Sequence, residues 1–398
     1  MKISSEKISL IKKKSSDIAV ILIVSAIIGA VCGFVGALFV KSIGFVTELR
    51  EANSFLVYIL PAGGLVSVLL YKLTKNEGIG TIRVLESARG GEKTPVLLMP
   101  VIFAASVITH LFGGSAGKEG AALQIGGAVA EAVSKITRAD GEKHSVYMIC
   151  GMAALFSAVF GTPFGAWIFA LEVVMMKKAI VFSAVPALIS SLIANIVSVA
   201  MGVTPERFEI HSVPDWGFAV FGKTLLISAV VAVVSMIFCF VLHGGEKLLE
   251  KLIKNPYIRI FAGGCTVIVL TLIFGTDYNG GGMGIIERIF EEGFVKPEAF
   301  LLKIIFTVIT VSSGYRGGEI VPSLFIGSTL GGTLSPLLGL SPAFGAATGM
   351  IAFFSGVTNC PLASAVISAE LFGAEGLLFF AAAAFIARLV SGKKSLYN

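Results

Sequence analysis

The chain has 398 residues, 55% of them hydrophobic and only 14% charged, against about 25% charged in soluble domains. That balance excludes a soluble globular protein, and the net charge of +6 gathers in the amino-terminal tail and in short loops such as residues 250–254, where it orients helices rather than marking a nucleic-acid surface. Five cysteines, Cys32, Cys150, Cys239, Cys265 and Cys360, stand singly in apolar context, which excludes a disulfide framework or a CxxC metal site.

The opening segment MKISSEKISLIKKKSSD is basic and fits a cytoplasmic amino terminus. A cleaved signal peptide is the competing reading, but the apolar part runs past a signal core and lacks a small-x-small cleavage site. Apolar runs of spanning or near-spanning length follow at about 18–40, 56–72, 97–112, 180–202, 217–242, 258–275, 300–312 and 361–390; about 20 such residues cross a bilayer as a helix. Their solid character, without strict alternation, predicts a helical multi-pass membrane protein and not a β-barrel. His110 lies inside an apolar run with no second ligand at helical spacing, so its expected role is structural and no metal site is expected. With the chain ending at KKSLYN, a single transmembrane transport domain over residues 1–398 is expected, without a soluble regulatory domain and without a cofactor.

The chain also repeats itself. GMAALFSAVFGTP at 151–163 matches GMIAFFSGVTNCP at 349–361, 198 positions on, and Glu172 and Glu370 each lie nine residues after the closing proline. EGIGTI at 77–82 resembles GGMGII at 281–286 with an offset of 204, and GGSAGKEGAALQIGG pairs with SGYRGGEIVPSLFIGS at an offset of 200 or 201. Three blocks in one order imply two homologous halves, about 18–202 and 217–397, an arrangement that in membrane proteins builds transporters with a midplane site.

Each repeated block interrupts apolar sequence with glycine. Irregular backbone at membrane depth is tolerated only where it is buried in protein or lines a wet cavity. A helix that starts at such a break offers unpaired N–H groups and the positive end of its dipole to an anion; four such starts, converging, would hold a small anion. GGSAGKEG is not a phosphate loop, since Phe112 and Glu119 occupy the places of the required glycine and hydroxyl. The alternative of a solvated Lys118–Glu119 pair in an exposed loop is outweighed by its place among the breaks.

GKEGA with AALQIGGAVAEA resembles the G-[RK]-E-G-P segment of the CLC family of anion channels and proton-coupled antiporters, and GGEIVP resembles that family's G-x-F-x-P segment. PFGAWIFALEVV and PLASAVISAELF resemble its paired proline-led helices, and GKKSLYN its inner-gate tyrosine stretch. The resemblance spans about residues 75–397 and implies an all-α polytopic fold of two inverted halves with discontinuous helices, a homodimer with one pathway per subunit, and residence in the cytoplasmic membrane. It also implies an anion site formed by Gly78, Ile79, Gly80, Gly117, Lys118, Gly120, Gly318, Ile320, Val321 and Tyr397. Glu119 would be the gating glutamate, its carboxylate occupying the outer anion site when ionised and swinging away when protonated. An ionised carboxylate in a low-dielectric cavity is costly and so exchanges with a mobile anion.

Three departures point within the family. Chloride-transporting members have a serine in G-S-G-I-P, whereas Gly78-Ile79-Gly80-Thr81 has no hydroxyl at that place, and Glu319 stands where they have an apolar residue. The acid resembles the fluoride-exporting branch, the bacterial fluoride/proton antiporters, as does Val173 in place of the inner proton-transfer glutamate; that branch often has Met at Ile79 and Thr at Val321. Protonated Glu319 can donate a short hydrogen bond to fluoride, the strongest halide acceptor. The expected function is therefore a proton-coupled antiporter exporting fluoride, the alternative being a chloride/proton exchanger or passive CLC-type anion channel. An enzyme is not expected: HExxH and paired aspartates are missing. Glu172 and Glu370 are expected in helix packing or a dimer edge, not in the site.

Overall fold

The computed structural model describes residues 5–174 and 177–397, with side chains for 17–174 and 182–397. Among these residues there are sixteen α-helices and no strand. The first eight are α1 (Ser5–Ala52), α2 (Leu60–Leu73), α3 (Thr81–Ala88), α4 (Leu98–Leu111), α5 (Glu119–Thr137), α6 (Gly141–Phe160), α7 (Pro163–Val174) and α8 (Lys177–Ala200). The second eight repeat that order as α9 (Phe218–Leu252), α10 (Pro256–Phe274), α11 (Met283–Glu292), α12 (Ala299–Ser312), α13 (Ile320–Leu334), α14 (Pro342–Thr358), α15 (Pro361–Phe372) and α16 (Leu377–Ser391). The two halves are inverted copies, a long outer helix leading each and a short, amphipathic third helix in each.

The helix ends follow from residue chemistry. Proline opens α7, α10, α14 and α15, where its missing N–H costs nothing. Gly161 and Asn359, 198 positions apart, end α6 and α14 at φ +73° and +61°, left-handed conformations that Gly and Asn tolerate best. The helix-to-prolyl-helix corner is thus built twice from equivalent positions.

Small residues set the packing. A Cβ on Gly126 would stand 2.2 Å from the Gly151 carbonyl, and one on Gly327 2.4 Å from the Gly349 carbonyl. So α5 meets α6, and α13 meets α14, backbone against backbone, the close approach that small residues permit between membrane helices.

Several apolar runs change character in the structure. Among the described residues, seven continuous helical stretches are long and apolar enough to cross a membrane, but the run 361–390 is broken into α15 and α16 at Gly373, whose φ is +82°. The runs at 97–112 and 300–312 are helices of 14 residues each, too short to span unaided. Conversely α6, its side chains buried almost throughout, begins with the polar GEKHS and was not among the apolar runs. Helices enclosed by other helices are not obliged to be uniformly apolar.

Candidate functional site

The breaks before α5 and α13 cross each other. Gly117 N–H donates to the Gly318 carbonyl at 2.7 Å and Gly318 N–H returns a bond to the Gly117 carbonyl at 2.6 Å. An antiparallel pair exchanging both bonds is two-fold symmetric about its midpoint, so the axis relating the halves passes here. The crossing admits only glycine: a Cβ on Gly318 would lie 2.2 Å from the Gly120 nitrogen, and one on Gly117 2.8 Å from Val321 Cβ.

The flanking residues repeat the symmetry. Gly114 N–H donates to the Thr109 carbonyl and Tyr315 N–H to the Thr310 carbonyl, each pair 201 positions from its mate. The offset of this block is therefore 201, which resolves the ambiguity of 200 or 201. Glu119, the first residue of α5, corresponds to Ile320, the first of α13, while Glu319 corresponds to Lys118. The two acids are not symmetry mates.

Glu119 is fully buried, and neither carboxylate oxygen has a hydrogen-bond partner in the protein. The side chain folds back over its own loop, with Oε2 3.0 Å from the place a Gly117 Cβ would take. A buried carboxylate without partners is costly as an anion, so this position suits a group that gives up its charge or exchanges its place with another anion. Glu319 is half-buried, and its Oε2 lies 3.3 Å from the Cβ position of Gly120. Both acids thus border the crossing.

A cavity opens on each side. The first, of about 470 Å³, is lined by Arg50 and Thr47 near the end of α1, His110, Gly117, Lys118, Val321 and the start of α11 at Gly281–Ile285. The second, of about 610 Å³, is lined by Gly78, Ile79, Gly80 and Thr81 at the start of α3, with Gln124, Arg316, Glu319 and Tyr397. Glu119 lines neither and is enclosed between them, and Ile320 and Gly120 are buried beside it. The four glycine-led helix starts do not meet at one point: α5 and α13 meet at the crossing, while inversion carries α3 and α11 to opposite cavities.

Tyr397, although next to the last residue, is held in the fold rather than in a loose tail. Leu396 N–H donates to the Val357 carbonyl at 2.8 Å, and the buried Tyr397 hydroxyl has no partner in the protein, leaving its O–H available to a ligand.

Polar groups that sequence reasoning missed brace the breaks. Lys303, fully buried, donates to the Tyr278 carbonyl at 3.0 Å and the Gly280 carbonyl at 2.7 Å, with its ammonium 5.1 Å from the Phe325 ring centroid. Arg50 donates to the His110 carbonyl at 2.9 Å, and Asn279 to the Gly113 carbonyl at 2.6 Å. Gln124 donates to Thr81 Oγ1 at 3.2 Å, tying the start of α3 to α5. A lone lysine inside AFLLKIIF was the available signal for Lys303, since an intramembrane charge is functional by default. His110 donates from Nδ1 to the Ser106 carbonyl at 2.8 Å, which fixes its ring in α4.

Glu172 and Glu370 fall outside the crossing. Glu370 accepts from Phe164 and Gly165 N–H at 3.0 and 2.7 Å, and Glu172 from Leu362 and Ala363 N–H at 3.3 and 2.9 Å. Each carboxylate caps the prolyl helix of the other half.

Two inverted halves, buried helix starts that cross at the axis between them and an unpartnered acid between two cavities fit a secondary transporter. A family model described as voltage gated chloride channel matches residues 62–392, and the chain belongs to that family, the CLC proteins. A chloride/fluoride channel protein of Pseudomonas syringae pv. tomato is 31% identical over 95% of this chain and 85% of its own length. An H(+)/Cl(-) exchange transporter of Vibrio cholerae is 27% identical over 92% of this chain and 87% of its own. The crystal structure of a CLC-type fluoride/proton antiporter superposes with a TM-score of 0.91 at 30% identity, covering 95% of this chain and 97% of that one. The protein is a multi-pass, CLC-type anion/proton transporter.

Proposed function

We propose that the protein exports fluoride across the cytoplasmic membrane in exchange for protons. The carrying observation is the pair of unlike acids at the glycine crossing: buried, unpartnered Glu119 and, on the second cavity, Glu319. The positive-inside tendency of the amino-terminal segment makes the first cavity, at the far end of α1, the outer one and the second the inner one. Glu119 is the gate: ionised, its carboxylate sits in the anion path, and protonated from outside it yields that place to an anion. Glu319, protonated, donates to fluoride on the inner side, with the Tyr397 hydroxyl as a second donor; so small an ion demands strong donors in return for its hydration. The likeness to the fluoride/proton antiporter supports this choice.

The 398 residues act as one transport domain, and the assembly is a homodimer with a pathway in each subunit. Its contact is the face carrying Phe164, Leu362 and Leu378, apolar side chains left exposed on α7, α15 and α16. Chloride/proton exchange is the second reading, favoured by the Vibrio cholerae relative. Efflux from proteoliposomes loaded with fluoride or chloride, read by ion-selective electrodes with a proton-sensitive dye, decides between them. Fluoride efflux with proton uptake and lagging chloride is expected; comparable or faster chloride flux discards the fluoride assignment and keeps the transporter.

A further inference from the structure

Lys118, next in the chain to Glu119, lies within reach of the gate's own surroundings yet pairs elsewhere. Its ammonium stands 3.1 Å from Glu206 Oε1, with the two side chains only 15% and 21% exposed. Glu206 comes from the segment 203–217 that joins the two halves. That segment is built into the fold: Phe208 N–H donates to the Leu371 carbonyl at 3.0 Å, and its ring stacks on Phe290 at 4.8 Å between centroids. Gly161, at φ +73°, leaves no room for a Cβ against Pro205. The inter-half segment therefore delivers a carboxylate at a fixed place to Lys118, which lines the first cavity.

We propose that Glu206 is a positioning residue for the gate, holding the Lys118 ammonium away from the Glu119 carboxylate so that Glu119 remains free to exchange with the anion. This rests on the reading of Glu119 as the gate. Both Glu119 oxygens are unpartnered although the ammonium of its chain neighbour already acts on it through space; with Glu206 neutral, that ammonium is no longer held elsewhere and is free to close on the carboxylate. An opposite charge within about 4–6 Å favours the ionised form, so the gate would then stay ionised down to lower pH.

The other charges around the pair do not change in the test. From α1 these are Arg50 and Glu51, from α4 His110, and from the turn before α11 Asp277. From α11 Arg288 lines the same cavity and Glu287 interacts with Glu206; from the start of α13, Glu319 approaches the crossing.

The experiment is anion-driven proton uptake by reconstituted protein across a series of external pH values. Glu206→Gln is expected to move the pH midpoint of coupled transport toward acid by about one unit or more. Lys118→Met, which removes the ammonium and leaves the Glu206 carboxylate, moves it the other way, and the double variant lies between the two. A role confined to anchoring the segment would lower the rate in each variant without opposed shifts. An unmoved midpoint in Glu206→Gln, or shifts of the same sign in both single variants, overturns the inference. Should Glu206→Gln not fold, an acid shift in Lys118→Met overturns it equally. Glu119→Gln is assayed beside them: coupling that persists there removes the gate itself, a failure distinct from an unmoved midpoint in Glu206→Gln.

Discussion

Glu370 gives the most direct test of what the duplicated acids do. Its carboxylate closes the first two free N–H groups of α7 across the junction between the halves, at 3.0 and 2.7 Å. Hydrogen bonds to a charged group contribute ~1.5–3 kcal/mol each; because Glu370 is half-buried, the lower end applies and Glu370→Ala should cost about 3 kcal/mol. Glu172 makes the equivalent bonds at 3.3 and 2.9 Å, so Glu172→Ala should cost less, roughly 2 kcal/mol. Glu370→Gln keeps an acceptor oxygen but loses the charge that complements the helix dipole, and should fall between Glu370→Ala and the parent. Thermal unfolding of purified protein in detergent reads this order. Proton coupling in liposomes should survive both Gln variants, because neither acid lines either of the two cavities at the crossing. A Glu370→Ala protein that melts with the parent, or a folded Glu172→Gln protein that loses proton coupling, would refute the capping argument.

At the crossing, Glu119→Gln should abolish proton coupling, since an amide cannot ionise to compete with the anion; proton movement still driven by the anion gradient, read with a pH dye, would remove Glu119 from the gate. Glu319→Ala should depress fluoride flux relative to chloride while leaving the protein folded, and an unchanged ratio of the two fluxes in the efflux assay would take away the main support for fluoride. Tyr397→Phe deletes one unpartnered donor and should weaken anion binding by about tenfold or more, the ~1.5–3 kcal/mol of a hydrogen bond to a charged group, as measured by calorimetric anion titration. Gly318→Ala would place a Cβ 2.2 Å from the Gly120 nitrogen, a backbone clash that no rotamer relieves; the yield of folded, monodisperse protein on size exclusion should collapse, and normal yield would mean that the crossing is looser than described.

The parts legible in the sequence are those encoded locally. Apolar run length marked most of the spans, and the repeated blocks marked the halves, because duplicated corners such as Gly161–Pro163 and Asn359–Pro361 need the same residue types to turn the chain. The break at Gly373 was hidden because GAEG interrupts the apolar run 361–390 for only four residues, and α6 was hidden because neighbouring helices, not lipid, surround it. That Glu119 and Glu319 stand at the glycine breaks was legible, since a charge there at membrane depth has few other uses. Glu206 was not: it lies 88 positions from Lys118, and only the completed fold brings the inter-half segment against that lysine. The reciprocal caps of Glu172 and Glu370 were half legible, since their symmetry showed in the sequence but the N–H groups they satisfy belong to the opposite half.

The offset of 201 changes how the two acids are understood. Had Glu119 and Glu319 been symmetry mates, an inverted repeat would have set like charges in like surroundings facing opposite sides. Instead the axis through Gly117 and Gly318 pairs Glu119 with buried Ile320 and Glu319 with Lys118. The frame is symmetric, with matched bonds at Thr109 and Thr310 and matched glycine contacts between α5 and α6 and between α13 and α14, while the chemistry hung on it is not. One acid is enclosed between the cavities without a partner; the other opens on the cavity that also holds Tyr397. Because their surroundings differ in burial and in neighbouring charge, the acids need not change protonation together, as the proposed exchange, with Glu119 as gate and Glu319 as donor, requires. Lys118, the mate of Glu319, is itself paired with Glu206, so the cation next in the chain to Glu119 bonds to another carboxylate.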